Sequence, residues 1–558
     1  MKLLKVSCIV FVLIVFSCKD KTPEPNPVLA SLDLKRGDIL LCGTPQFGDV
    51  SFAIDCKYAV RDAFDLAISL LHSFEYTEAE KAFVNVIDAD PECAMAYWGV
   101  AMSIYHELWA PPGPKELKKG AALIDIAESL QKSERAALYL DALGVFYKDW
   151  DTKDHKTREL LYEKKMEHIY SSQKEDTEAG IFYALAITSA ADPNDKTYSS
   201  QKKAGAILQK LFAAQPNHPG IAHYVIHTYD YPEIAEDALK TARRYAEIAP
   251  ASAHAQHMPS HIFTRLGLWQ ESIDTNINSA SSAVCYAESV NPNASWAQEI
   301  HAVDYLVYGY LQMGNNLKAQ EYLDEMKEVT AVFPKQHFAT SYALVAMPVR
   351  MVLENKQWED ASNLKLPSID FTWDTLHWET AMLHFGKALG YAHIGSITAA
   401  ENELLTLREL HKSLKEAKET YRSGQVNIQV HASEAWIELA KGNNDKALLL
   451  MKKAVLLESQ TSKHAVTPGE VLPADELLGD LLLALNKPKE ALAAYEINLK
   501  GHPNRFNGIY GAAIAAKQIG NTEKATLYFK QLIELTKESN SDRRELVEAT
   551  NYLDKTAI

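Results

Sequence analysis

Near its C-terminus the chain reads Ala491-Leu492-Ala493-Ala494-Tyr495-Glu496-Ile497-Asn498-Leu499-Lys500-Gly501-His502-Pro503, and 34 residues after Ala491 and Tyr495 stand Ala525 and Phe529. A small residue, a ring one helical turn later and a proline beyond them describe the second helix of a helical hairpin. The small residue lets two antiparallel helices approach, the ring fills the groove beside it, and the proline stops the helix. Working back along the chain, Ala79 and Phe83 lead to Pro91, Ala204 and Leu208 to Pro216, and Ala238 and Ala242 to Pro250. Weaker copies surround Ala319, Ala361, Ala400 and Ala447, usually after a turn such as Gly314-Asn315 or Gly442-Asn443.

Thirty-four residues is the period of the tetratricopeptide (TPR) helix-turn-helix repeat. The expected fold is therefore all-α: a TPR-type solenoid of antiparallel helix pairs forming a curved superhelix over residues 36–558. Its histidine-rich repeats span 180–330 and its C-terminal repeats 470–540, with longer helices or inserted loops near 110–175 and 275–300. Only 24 of 558 residues are glycine, and 47% are hydrophobic, which suits helices that bury a core. A net charge of −16 argues against a nucleic-acid partner, since nothing here would displace counterions from phosphates. The sequence has no Walker-type phosphate loop and no GxGxxG after a strand-like run.

The histidines repeat with the same period. His223 and His227 are spaced i, i+4, and His257 and His261 follow each of them by 34 residues. In the repeat register, these four and His254 face the inner surface of successive first helices. His301 and Asp304 do so one repeat later, and His72 and His106, again 34 apart, sit near the ends of the first two. Imidazoles at i, i+4 share one helix face and can converge on one cation. The predicted metal ligands are His223, His227, His257, His261 and Asp304, for zinc, copper or iron. His72, His106, Tyr224, His254, His301, Arg350 and His464 are candidate ligand-groove residues. The alternative is a hydrogen-bonding network that cross-links helices, with Tyr224, Tyr229, Asp230, Ser260 and His301 as partners. Met258-Pro259-Ser260-His261 and Met347-Pro348-Val349-Arg350 each place a proline inside a first helix, where it kinks the backbone toward the inner face or tightens packing.

The N-terminus reads as a leader. Met1 to Lys5 carries positive charge, Val6 to Phe16 is apolar and too short to span a bilayer, and Val15-Phe16-Ser17-Cys18 is similar to a bacterial lipobox. That similarity implies a signal peptide at 1–17, an acylated Cys18 on a polar, proline-rich tether over 18–35, and lipid attachment to a bacterial envelope membrane, the outer membrane in particular. Plain signal cleavage or an anchor helix is the alternative. Cys42, Cys56, Cys93 and Cys285 remain in the mature chain. Cys56 and Cys93 precede successive first helices, so they are neighbours that form a disulfide or stay as two buried thiols.

Several phrases resemble a group of bacterial TPR proteins: Leu71-His72-Ser73-Phe74, Cys93-Ala94-Met95-Ala96-Tyr97-Trp98-Gly99, His218-Pro219-Gly220, His254 to His261, Val466-Thr467-Pro468-Gly469 and Pro503-Asn504-Arg505-Phe506-Asn507. The resemblance implies the TPR fold and brings no reaction with it. Two functions are left open. One is a lipid-anchored protein that binds a protein, a peptide or a small ligand in its concave groove. The other is a metal-binding protein or metalloenzyme on the same scaffold. No serine triad or cysteine nucleophile can be argued from spacing, and the Lys463-His464 segment reads more simply as an inter-repeat loop than as a flap over the inner face.

Overall fold

The computed structural model describes residues 26–556 apart from 43–45, 107, 109, 110, 194, 462, 463 and 542, so the Cys18 leader, Trp109 and Lys463 lie outside the described residues. Helices in antiparallel pairs run from Arg61 to Thr556 and pack mainly against their sequence neighbours. Among the described residues the strands are Ser295–Trp296 and Val332–Phe333, a two-residue parallel pair. The architecture is the expected TPR-type α-solenoid.

The repeat logic is visible in the packing. Ala79, Ala204, Ala238, Ala242, Ala319, Ala361, Ala400, Ala447, Ala491 and Ala525 are all wholly buried. The rings they accompany press onto glycines of the next first helix. A Cβ on Gly99 would lie 2.3 Å from Phe83, and one on Gly511 would lie 2.3 Å from Tyr495. Gly314, Gly442 and Gly520 close helices in the left-handed conformation, at φ 67°, 81° and 72°. The asparagine that follows starts the next helix; the side chains of Asn315 and Asn521 accept from Lys318 N–H and Lys524 N–H.

Two features close the superhelix on itself. The helix Arg61–His72 packs against Pro219–Tyr229, and Ala297–Gln312 against Phe506–Gln518. Residues 32–42 and 46–57 run as an arm along the first repeats, where Glu80, Glu78 and Asp65 accept from the backbone N–H groups of Lys35, Leu40 and Phe52. Disulfides fasten the arm: Cys56 bonds Cys93, and Cys42 bonds Cys285 on the 22-residue helix Trp269–Val290. Tight closure brings distant inner faces into contact, which positions the histidines.

Candidate metal centre

Pro219 opens the helix Pro219–Tyr229, where a missing N–H costs nothing, and His223 and His227 lie one turn apart on it. The next inner segment is broken. Ser252 caps Ala253–His257 by accepting from Ala255 N–H, and Pro259 starts a second short helix, Pro259–Leu266. His254 and His257 therefore belong to one piece and His261 to the other. His301 stands on Ala297–Gln312.

These six imidazoles form two groups of three. In the first, His223 Nε2 lies 3.0 Å from His227 Nε2 and 3.2 Å from His254 Nε2. In the second, His257 Nε2 lies 3.0 Å from His261 Nε2, and the His301 ring centre is 4.3 Å from that of His257. Within each group one nitrogen per ring lies within 4.8 Å of the others. The groups adjoin, with ring centres 6.1 Å apart for His227 and His261 and 6.3 Å for His254 and His257.

The proton positions give these contacts their meaning. His223 Nδ1 is 2.6 Å from the carbonyl oxygen of His72, which can only accept, so Nδ1 carries the hydrogen and Nε2 presents a lone pair. His257 Nδ1 is 2.6 Å from Asn276 Oδ1, whose amide is oriented by Nδ2 donating to Ser272 O. His261 Nδ1 is 2.8 Å from Asp230 Oδ2. The Nε2 atoms of His257 and His261 thus face each other as two lone pairs at 3.0 Å. Such an arrangement requires a cation between the nitrogens, either a proton or a metal ion. Burial pushes His223 and His257 down to about 3, and His254 and His301 well below their ordinary value. A proton on His223, His254, His257 or His301 is therefore disfavoured at neutral pH. Around a tetrahedral ion with bonds of about 2.0–2.1 Å, ligand nitrogens sit roughly 3.3 Å apart, close to the spacings seen.

A third group behaves differently. His72 Nε2 and His218 Nε2 lie 3.0 and 2.9 Å from the two oxygens of Glu178, His72 Nδ1 faces the Tyr224 hydroxyl at 2.9 Å, and His218 Nδ1 accepts from Ile221 N–H. Here every donor meets an acceptor. Burial raises the Glu178 carboxyl, but the two imidazoles outweigh it and hold it well below the usual carboxylate range. This group is a complete hydrogen-bonded network, and through the His72 carbonyl it orients His223.

A cavity of about 340 Å³ opens onto His227, His254, His261 and His301, while His223 and His257 lie wholly buried behind them. Its lining also includes Phe338, Arg422 and His464. The segment that follows His464 folds across the inner face, contrary to the simpler reading of it as an inter-repeat loop. Arg265 donates to the carbonyls of Pro468 and Thr467, Arg350 to that of Gly469, and the Tyr305 hydroxyl to that of Val466. Buried arginines supply what a loop crossing a core lacks, partners for its backbone.

Other expected residues are distributed as follows. His254 and His301, assigned from sequence to the groove, join the metal-spaced groups. Asp304, assigned as a ligand, turns one helical step away from His301 and binds Arg350 at 2.6 Å. Arg350 is wholly buried and also donates to Tyr342. Tyr224 belongs to the Glu178 network. His106 sits at φ 50° after the helix Ala94–Tyr105, its ring 4.2 Å from Tyr76. His464 packs against Phe338, Tyr421 and Trp378. Sequence reasoning missed Asn276, Glu178 and Arg422, none of which carries a local spacing signal.

No protein-family model matches the chain, and no curated protein matches it in sequence. Among solved structures, the human IFIT1 dimer with PPP-AAAA is 12% identical, covering 84% of this chain and 89% of that one at a TM-score of 0.35. The Cut9 assembly, an APC/C hetero-tetramer of Cut9 and Hcn1, is also 12% identical, covering 89% of each chain at a TM-score of 0.32. At that level the likeness carries no argument about this chain.

Proposed function

We propose that this protein binds transition-metal ions, one at His223, His227 and His254 and one at His257, His261 and His301, and presents them to a small-molecule cavity. The facing Nε2 atoms of His257 and His261, with a His301 nitrogen within 4.8 Å of both, carry the reading: they need a cation between them, and the spacing suits a metal ion. Three imidazoles with room for a further ligand form an open site of the kind used in catalysis, and imidazole donors suit zinc, copper, iron or nickel, with copper(II) held most tightly. The competing reading, an extended peptide in a concave groove, has less support, since the histidines and the segment after His464 occupy the inner face. Attachment through an acylated Cys18 in the bacterial envelope completes the proposal, on the strength of the lipobox-like residues.

Metal analysis of untagged protein tests it. Up to two ions per chain are expected, with a rise in melting temperature on metal addition that follows the binding free energy. The His257→Ala/His261→Ala variant should lose one ion and keep its helical circular dichroism; a wild type that takes up no zinc, copper, iron or nickel refutes the reading. Cys18→Ser should release the protein from membranes, and unchanged membrane fractionation would remove the anchor.

A further inference from the structure

The two sites share one electrostatic property. Their six ligands are neutral imidazoles. The carboxylate that supports them, Asp230, is already matched by Arg265, whose Nε lies 3.0 Å from Asp230 Oδ1. Two divalent ions held there would gain from an anionic ligand, because charge in a buried setting is costly. The cavity gives such an anion a way in.

That cavity is built to receive one. On its lining, the Phe338 ring stacks on Trp378 with centroids 5.6 Å apart and planes 9° from parallel. The Arg422 guanidinium lies over both rings, 4.9 Å from the first and 5.9 Å from the second. Arg422 also makes a long ion pair, 3.8 Å, with Glu419 on the same cavity lining, a side chain about half in solvent, which leaves guanidinium N–H groups for a ligand. Planar N–H donors on a rigid aromatic plate form a carboxylate clamp. At about 340 Å³ the space is at the lower end for ligand pockets and suits a small molecule.

We infer that the cavity binds a small organic anion with a flat apolar body, its charged end shared between Arg422 and the metal side and its body against Phe338 and Val466. The charge argument rests on the metal-binding reading; the clamp does not.

Benzoate is the probe, with the full-length protein as it is purified. Metal content is measured first, and benzoate is then titrated into cobalt-loaded protein, read by the visible cobalt bands, and into metal-free protein, read by ligand-observed NMR. Expected are a shift of the cobalt bands on saturation and a tenfold or greater weakening in Arg422→Gln, with cobalt content unchanged. Phe338→Leu should weaken benzoate more than acetate. Failure to load cobalt counts against the metal reading, while Arg422-dependent benzoate binding in that same protein still supports the clamp. Absence of benzoate binding in both forms, or equal affinity in Arg422→Gln, overturns the inference.

Discussion

At the scale of single residues, the Nδ1 atoms matter to the proposed metal sites as much as the Nε2 atoms do. A backbone carbonyl, an amide and a carboxylate fix the hydrogens of His223, His257 and His261 and so aim three lone pairs inward. Outer partners of this kind typically govern metal affinity by 10–100-fold. Asp230→Asn should therefore raise the metal dissociation constant by about that factor in a competition titration, without emptying the site, because an amide oxygen still accepts from Nδ1. An unchanged constant would mean that Asp230 serves Arg265 alone. The histidine spacing was legible in the sequence because i, i+4 pairs are local. The choice of His301 over Asp304 was not, because both lie on the inward side of one helix and Arg350, 46 residues on from Asp304, decides between them.

Elements join through aromatic–glycine contacts that leave no space for a methyl group. Tyr495 is gripped by Gly479 and Gly511, where added Cβ atoms would fall 2.7 and 2.3 Å from its ring. Gly511→Ala should destabilise the protein by about 1–3 kcal/mol in urea unfolding, by overpacking. Gly501, at the end of Pro488–Gly501, meets nothing within 4 Å, so Gly501→Ala should be neutral or stabilising by up to about 1 kcal/mol. Equal effects at the two glycines would deny the close approach. The helix pairs themselves were readable from alanine, ring and proline at a 34-residue period. The break at Met258 was readable only as a kink, because a proline marks where a helix is disturbed without showing whether it ends.

The whole molecule is tied by links of very different reach. Cys42–Cys285 spans 243 residues of sequence and Cys56–Cys93 spans 37. Chain-entropy reasoning gives the longer closure an advantage of about 1.5 kcal/mol. Cys42→Ser/Cys285→Ser should accordingly lower stability more than Cys56→Ser/Cys93→Ser in calorimetry, and the reverse order would show that local packing of the arm outweighs loop closure. The sequence left this pairing open, since cysteines so far apart approach only when the superhelix closes. The crossing segment at 464–469 was obscured for a similar reason: its partners, Arg265 and Arg350, lie more than a hundred residues earlier.

That crossing segment also changes how the array should assemble. An open solenoid behaves as a row of units that can zip and unzip from either end, each sensing only its neighbours. Here Arg265 and Arg350 reach their backbone partners only once residues 467–469 exist. A chain still emerging from the ribosome can pair those two cations with Asp230 and Asp304, but must leave their remaining N–H groups without these carbonyls until residues 467–469 arrive. Pulled from its ends, the finished molecule should resist like a knotted loop and then give way at once, where an open solenoid would lengthen like a spring.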